Sequence, residues 1–379
     1  MRKIQMVDLQ KQYQQIKTEV DEALHQIMEN AAFINGPAVK GFQANLETYL
    51  GVKHVIPCAN GTDALQVSLM AMGLQPGDEV ITTTFTFIAT AEVIALLRLT
   101  PVLVDVYPDT FNIDVQAIEK AITPKTKAII PVHLFGQCAD MESIMNLAES
   151  NNIGVIEDCC QAIGADYIFM DGSRKKAGTI GTMGCTSFFP SKNLGCYGDG
   201  GAIFTPDDSL DEELRGIVNH GMFKRYYHDI VGVNSRLDSM QAAILDIKLK
   251  RLDTYIQKRQ EAAAYYNNAF SGNEHIKTPV IAPFTTHVFH QYTLVLDGVD
   301  RDKLIGFMAE KEIPVMIYYP VPLHLQKAYA DARYSSGDFP VSEYLAAHVI
   351  SLPMHTELDS EQLDYIATNL LKGIDFASK

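Results

Sequence analysis

The chain has 379 residues, and its 31 Lys+Arg against 46 Asp+Glu leave a net charge of -15 with no basic cluster. That balance argues against a nucleic-acid partner, because phosphates demand a positive footprint. The length exceeds one ordinary domain and predicts a large and a small lobe, each burying its own core.

Hydrophobic residues make up 47% of the chain, a usual value for a globular protein. The segment Met1 to Asp8 turns polar before a signal-peptide core can form, and no apolar stretch reaches spanning length. A cytoplasmic protein without membrane contact is therefore expected. Cys58, Cys138, Cys159, Cys160, Cys185 and Cys196 show no C-x-x-C spacing and read as buried free thiols. The 11 histidines form no tight cluster with acidic residues, so no metal site is expected.

Val20 to Met28 reads as a helix ended by Ile34-Asn35-Gly36-Pro37, with a second helix from about Ala38 to Tyr49. Short β-rich runs then alternate with helical stretches: His54 to Cys58, Glu79 to Thr83, Val102 to Val106, Ala128 to Val132, Gly154 to Glu157, Cys185 to Phe189 and Ala202 to Thr205. Apolar strands separated by helices predict an α/β fold with a mainly parallel, seven-stranded sheet covered on both faces. This pattern stops near Asp207. Leu237 to about Phe270 predicts one long amphipathic helix linking the lobes. Gln291 to Leu296 and Val315 to Tyr319 follow as strands, with helices at Asp302 to Lys311 and Ser360 to Lys372. The expected division is thus 1–236, a large domain with N-terminal helices, and 237–379, the linking helix and a smaller α+β domain.

Ligands in open α/β sheets gather beyond the carboxyl ends of the strands. After the first strand, Gly61 and Thr62 open a helix whose free amides suit a phosphate, although Asn-Gly is also an ordinary turn pair. After the second, Phe85 and Phe87 are two apart; one flat aromatic there can stack on a planar ring, or both belong to the core. The fifth strand ends in Glu157-Asp158, two carboxylates of which at least one needs a partner. Asp158 facing a protonated pyridine nitrogen is as good a reading as a helix cap.

The sixth strand leads to Ser187 and Lys192, with glycines 195, 198, 200 and 201 supplying close backbone approach and positive-φ turns. Desolvation lowers an ammonium pKa and frees the amine for Schiff-base chemistry. Four weak signals at neighbouring strand ends favour one cofactor site, with Ser187 on a phosphate and Lys192 on an aldehyde, over a turn lysine.

These segments, together with Pro76 to Ile81, Asn219-His220-Gly221 and Asn234 to Asp238, resemble the DegT/DnrJ/EryC1/StrS sugar-nucleotide aminotransferases over nearly the whole chain. The resemblance implies the aspartate aminotransferase-like (type I) pyridoxal 5'-phosphate fold. It further implies Lys192 as the residue bonded to the cofactor, Asp158 on the pyridine nitrogen, Gln161 near the ring oxygen and Phe87 stacked on the ring. Gly61, Thr62 and Ser187 are implied as the phosphate seat. Asn234 is implied to reach the phosphate of a neighbouring subunit in a homodimer with shared sites, while a helix cap is its plain reading.

By the same likeness, the substrate is a 3-oxo sugar nucleotide, UDP-2-acetamido-2-deoxy-3-oxo-glucuronate, with L-glutamate as amino donor. Arg236 is then a candidate for the sugar carboxylate, against an ion pair with Asp238. Tyr318, Tyr319 and His324 complete the expected substrate contacts. Two departures stand out: Cys159-Cys160 replaces two small residues, and Tyr318-Tyr319-Pro320 stands where many relatives read His-Tyr-Pro. The alternatives are a dTDP-linked 3-oxo-6-deoxyhexose, a 4-oxo sugar nucleotide, or a non-catalytic regulator. Lys192 argues against a family dehydratase, which carries histidine there.

Overall fold

The computed structural model describes residues 2–378. In chain order it runs α1 (Leu9–Asn30), α2 (Pro37–Leu50), β1 (His54–Cys58), α3 (Gly61–Ala71), β2 (Glu79–Thr83), α4 (Ala89–Leu96), β3 (Thr100–Val104), α5 (Val115–Ala121) and β4 (Thr126–Ile130). There follow α6 (Met141–Asn151), β5 (Gly154–Asp158), a hairpin of β6 (Asp166–Ile168) and β7 (Arg174–Lys176), β8 (Met183–Ser187), β9 (Gly201–Thr205) and α7 (Asp208–Ile217). The remainder is α8 (Ser239–Leu249), α9 (Leu252–Phe270), β10 (Ile276–Lys277), β11 (Tyr292–Leu296), α10 (Arg301–Glu310), α11 (Pro340–His348), β12 (Val349–Leu352) and α12 (Ser360–Ala377).

The main sheet has seven strands in the order β1-β9-β8-β5-β4-β2-β3. β9 runs antiparallel to both of its neighbours, and the other pairs are parallel. Alternation explains its burial. Val55, Ile81, Ile129 and Val155 face a core with Phe42 and Leu46 of α2, whereas Ile56, Val80, Ile130 and Ile156 face another with Leu65 and Val67 of α3. Each such side chain contributes about 1.5–3 kcal/mol by leaving water.

The smaller sheet, β10-β11-β12, is antiparallel. It packs on the later half of α9, on α10 and on α12, and Ile4 from the N-terminal segment joins that core. Arg2 secures this end by bonding Asp359, the N-cap of α12, at 2.8 Å.

Four expectations are corrected. The long linking helix breaks at Lys250–Arg251: α8 buries Ala242 and Leu245 in the main core, and the later half of α9 carries Tyr266 and Phe270 into the smaller one. Val315 to Tyr319 is no strand; it makes one isolated bridge, Met316 to Ser351 on the free side of β12, and no ladder. The first helix begins at Leu9, where Asp8 accepts the Lys11 N–H and caps it, rather than at Val20. Finally, glycines 195, 198, 200 and 201 do not adopt positive φ. At least two are required for close approach: a Cβ on Gly195 would lie 2.4 Å from the Pro190 oxygen, and one on Gly201 would lie 2.4 Å from the Asn60 carbonyl.

All six cysteines are free, and only Cys160 is not fully buried. No described helix is long and apolar enough to cross a membrane.

Candidate active site

The carboxyl ends of β1, β5 and β8 come together around Gly61. Asn60 caps α3 by accepting the Asp63 N–H at 2.8 Å, which orients the first turn and leaves the Gly61 and Thr62 amides at its open end. A side chain at Gly61 does not fit: its Cβ would lie 2.7 Å from Ser187 Cβ and 2.9 Å from Cys160 Sγ. The helix N-terminus therefore abuts Ser187 with only glycine between, an arrangement suited to an anion.

Asp158 ends β5 and is buried. Its Oδ2 accepts from Thr90 Oγ1 at 2.9 Å and its Oδ1 from the Cys160 N–H at 3.2 Å, so the carboxylate is fixed from both sides. Lys192 lies beside it. Its backbone N–H bonds the Phe189 oxygen, but its Nζ has no hydrogen bond or ion pair among the described residues. Burial pushes its ammonium below the ordinary value, while the neighbouring Cys160 and Asp158 pull the other way. An unpartnered amine with a depressed pKa is prepared to act as a nucleophile and as a base.

The two phenylalanines are separated by their surroundings. Phe85 is packed among Phe111, Phe135 and Tyr319 and belongs to the core, whereas Phe87 is 54% exposed and lies 6.3 Å from the Tyr319 ring. Tyr319 in turn receives a hydrogen bond from Gln161 Nε2 at 3.1 Å, and Gln161 Oε1 accepts the Phe135 N–H at 2.8 Å. Phe87, Tyr319 and Gln161 thus form one cluster, reached through β5 by Asp158. Tyr318 is half-buried and packs on Tyr319.

His324 is different. It is buried, with Nδ1 2.9 Å from Thr84 Oγ1 and Nε2 3.0 Å from Glu343 of α11, so neither ring nitrogen is left for a ligand.

Asn234 and Arg236 bond each other: Asn234 Oδ1 accepts from Arg236 Nε at 2.9 Å and Nη2 at 2.6 Å. Neither plain alternative holds, because α8 is capped by Asp238, not by Asn234, and Arg236 makes no pair with Asp238. Arg236 borders a surface cleft of about 300 Å³ with Asn35, Arg215 and Asn219. Among the described residues, neither Asn234 nor Arg236 bonds Lys192 within one chain.

Several supporting residues escaped the sequence reading. Glu157, fully buried behind Asp158, accepts from His133 Nε2 at 2.8 Å and from the N–H groups of Gly178, Ile180 and Gly181. Burial alone would raise its carboxyl; His133 and these amides outweigh it and hold it below its ordinary value. His133 Nδ1 accepts the Ala139 N–H, so its proton sits on Nε2. Thr90, on the first turn of α4, carried no signal before Asp158 was seen beside it. His290 is buried with Nδ1 unpartnered among the described residues; burial, then the positive charges of Lys192 and Arg259, keep it neutral. Lys248 is also buried. Only Glu157 had a sequence signal, as a second carboxylate at a strand end.

The chain matches the DegT/DnrJ/EryC1/StrS aminotransferase family over residues 14–371. It is 47% identical to the pleiotropic regulatory protein of Geobacillus stearothermophilus over 369 residues, covering 97% of each chain. It is 45% identical to the UDP-2-acetamido-2-deoxy-3-oxo-D-glucuronate aminotransferase of Pseudomonas aeruginosa, covering 97% of this chain and 99% of that one. Among solved structures, Streptomyces venezuelae DesV in complex with a ketimine intermediate superposes with a TM-score of 0.94 at 37% identity, covering 98% of both chains. Pyridoxal phosphate is the cofactor of this family, and its amine form is bound in a solved structure of a relative. A strand-end lysine with a free amine, a fixed buried carboxylate and a glycine-only helix N-terminus suit the aldehyde, ring nitrogen and phosphate of that cofactor. The chain belongs to the DegT/DnrJ/EryC1/StrS family of sugar-nucleotide aminotransferases.

Proposed function

We propose that Lys192 bonds covalently to pyridoxal phosphate and that the enzyme transfers an amino group from L-glutamate to the C3 ketone of UDP-2-acetamido-2-deoxy-3-oxo-glucuronate, for bacterial surface polysaccharide. The observation that carries the reading is the unpartnered, desolvated Lys192 amine beside Asp158. When bound, the cofactor supplies an electron sink that permits exchange of an amino group and a carbon-bound proton.

The chain's own groups do the rest. Asp158, locked by Thr90 and the Cys160 amide, holds a proton on the pyridine nitrogen. Gly61 and Thr62 amides and the Ser187 hydroxyl hold the phosphate. Phe87, exposed at the site, would cover the ring, and Gln161 would stand near the ring oxygen. Lys192, with its amine free of other partners, would be the group that moves a proton from the donor's α carbon and to the sugar's C3. His324 positions the turn that follows Tyr318 and Tyr319, which line the sugar side.

Asn234 reaches the phosphate site of a second copy in a homodimer. Arg236 then meets the sugar's carboxylate, which replaces the neutral Asn234 oxygen with a charged bidentate partner. The 45% relative named for this substrate supports the reading.

Turnover of a panel of oxo-sugar nucleotides with glutamate tests it. Selective turnover of the 3-oxo-glucuronate, with a raised KM in Arg236→Ala, is expected. Turnover only of a dTDP-linked 3-oxo-6-deoxyhexose or a 4-oxo sugar overturns the carboxylate assignment. A second reading, a sugar-nucleotide-sensing regulator, draws on the name of the 47% relative. It requires binding of the sugar nucleotide with no amino transfer to any of them.

A further inference from the structure

Lys248 is 1% exposed, on the last turn of α8, and has no carboxylate partner among the described residues. Leaving a lysine there without a counter-ion is costly and calls for a compensating role. Its Nζ donates to the Gly195 carbonyl at 2.7 Å and sits 4.4 Å from the centre of the Tyr197 ring. Two turns earlier on the same face, Gln241 Oε1 accepts the Tyr197 N–H at 2.8 Å. One helix therefore grips the segment after Lys192 at two points.

That segment is folded tightly on itself. Lys192 N–H bonds the Phe189 oxygen and Cys196 N–H the Phe188 oxygen, each at 2.8 Å. Gly195 stacks so closely on the Phe189 and Pro190 carbonyls that a Cβ there would lie 2.8 and 2.4 Å from them. Since the Lys192 Nζ has no partner of its own, its direction is set by this loop, and the outward Gly195 carbonyl is the loop's contact with α8.

We propose that Lys248 is a positioning residue for Lys192, clamping the 188–196 loop through the Gly195 carbonyl so that the Lys192 amine is held toward Asp158. The proposal rests on the reading of Lys192 as the cofactor lysine. Burial lowers the Lys248 ammonium to about 8, with Cys196 acting in the opposite direction. The other titratable and charged groups about the clamp are Tyr197 itself, Tyr13 and Asp21 of α1, and Tyr255 of α9 with its neighbour Arg251.

The test compares Lys248→Met and Lys248→Gln with the wild type in two measurements: the rate at which cofactor-free protein recaptures added pyridoxal phosphate, and the pH midpoint of the bound cofactor's visible absorption. Loss of one charge-assisted hydrogen bond predicts about tenfold slower recapture and a displaced midpoint in Lys248→Met, with partial recovery in Lys248→Gln. A folded Lys248→Met protein with wild-type recapture and midpoint overturns the proposal. Should Lys248→Met fail to fold, Gln241→Leu, which removes the other grip, is read the same way, and wild-type values there overturn it. A wild type that acquires no visible band refutes the Lys192 reading itself, which separates the two failures.

Discussion

Replacing Glu157 by glutamine removes one charge and changes almost no volume, yet the geometry predicts a large loss. Oε1 accepts the Ile180 and Gly181 N–H groups at 2.6 Å each, and Oε2 accepts Gly178 N–H at 2.9 Å and His133 Nε2 at 2.8 Å. Whichever oxygen becomes an amide nitrogen, two donors then face a donor. His133 cannot switch tautomer to relieve this, because its Nδ1 is already the acceptor for Ala139 N–H. Each buried donor left without its acceptor costs about 1–3 kcal/mol, so two of them predict a loss of about 2–6 kcal/mol in urea denaturation at neutral pH.

The pH dependence has a definite sign. Glu157 has a folded pKa below its ordinary value, so its contribution is present above the unfolded value, about 4.3, and is lost as pH falls through the folded one. The gap between wild type and Glu157→Gln should therefore narrow below about pH 4. A variant within about 1 kcal/mol of wild type at pH 7, or a gap unchanged in acid, refutes this account of the strand end.

Gly61→Ala drives a methyl group against Ser187 and Cys160, so we expect about 1–3 kcal/mol less stability, together with weaker retention of pyridoxal phosphate on dialysis; unchanged retention contradicts the phosphate seat. Thr90→Val keeps the shape of the side chain but removes the 2.9 Å bond to Asp158. A kcat lower by about tenfold and a shifted cofactor absorption are expected with an unchanged melting temperature, and an unaltered spectrum counts against the role given to Thr90.

Much of the fold was legible because its signals are local. β1 and β2 have the predicted limits, since their apolar runs end where polar turns begin. β3 and β4 begin and end two residues before the predicted runs, because Val106 and Val132 stay buried and make isolated bridges beyond the ladder. Val315 to Tyr319 has the composition of a strand, but it keeps one bridge to Ser351 of β12 and builds no ladder, so composition alone does not decide pairing.

The candidate site divides in the same way. Gly61, Asp158, Ser187 and Lys192 announce themselves as unusual residues at strand ends. Thr90, His133, His290 and Lys248 do not, because a threonine in a helix, a histidine after a strand or a lysine on an amphipathic helix acquires meaning only from what folding places beside it. Arg236 and Asn234 were legible as polar residues before α8, yet their pairing with each other was not.

The central claim, that Lys192 is the residue on which the cofactor is held, is tested most directly by the visible absorption of purified Lys192→Ala beside the wild type after addition of pyridoxal phosphate. The account predicts a lysine-bound band in the wild type that glutamate bleaches, and neither band nor bleaching in a variant of unchanged fold. A Lys192→Ala protein that keeps the band and still responds to glutamate contradicts it.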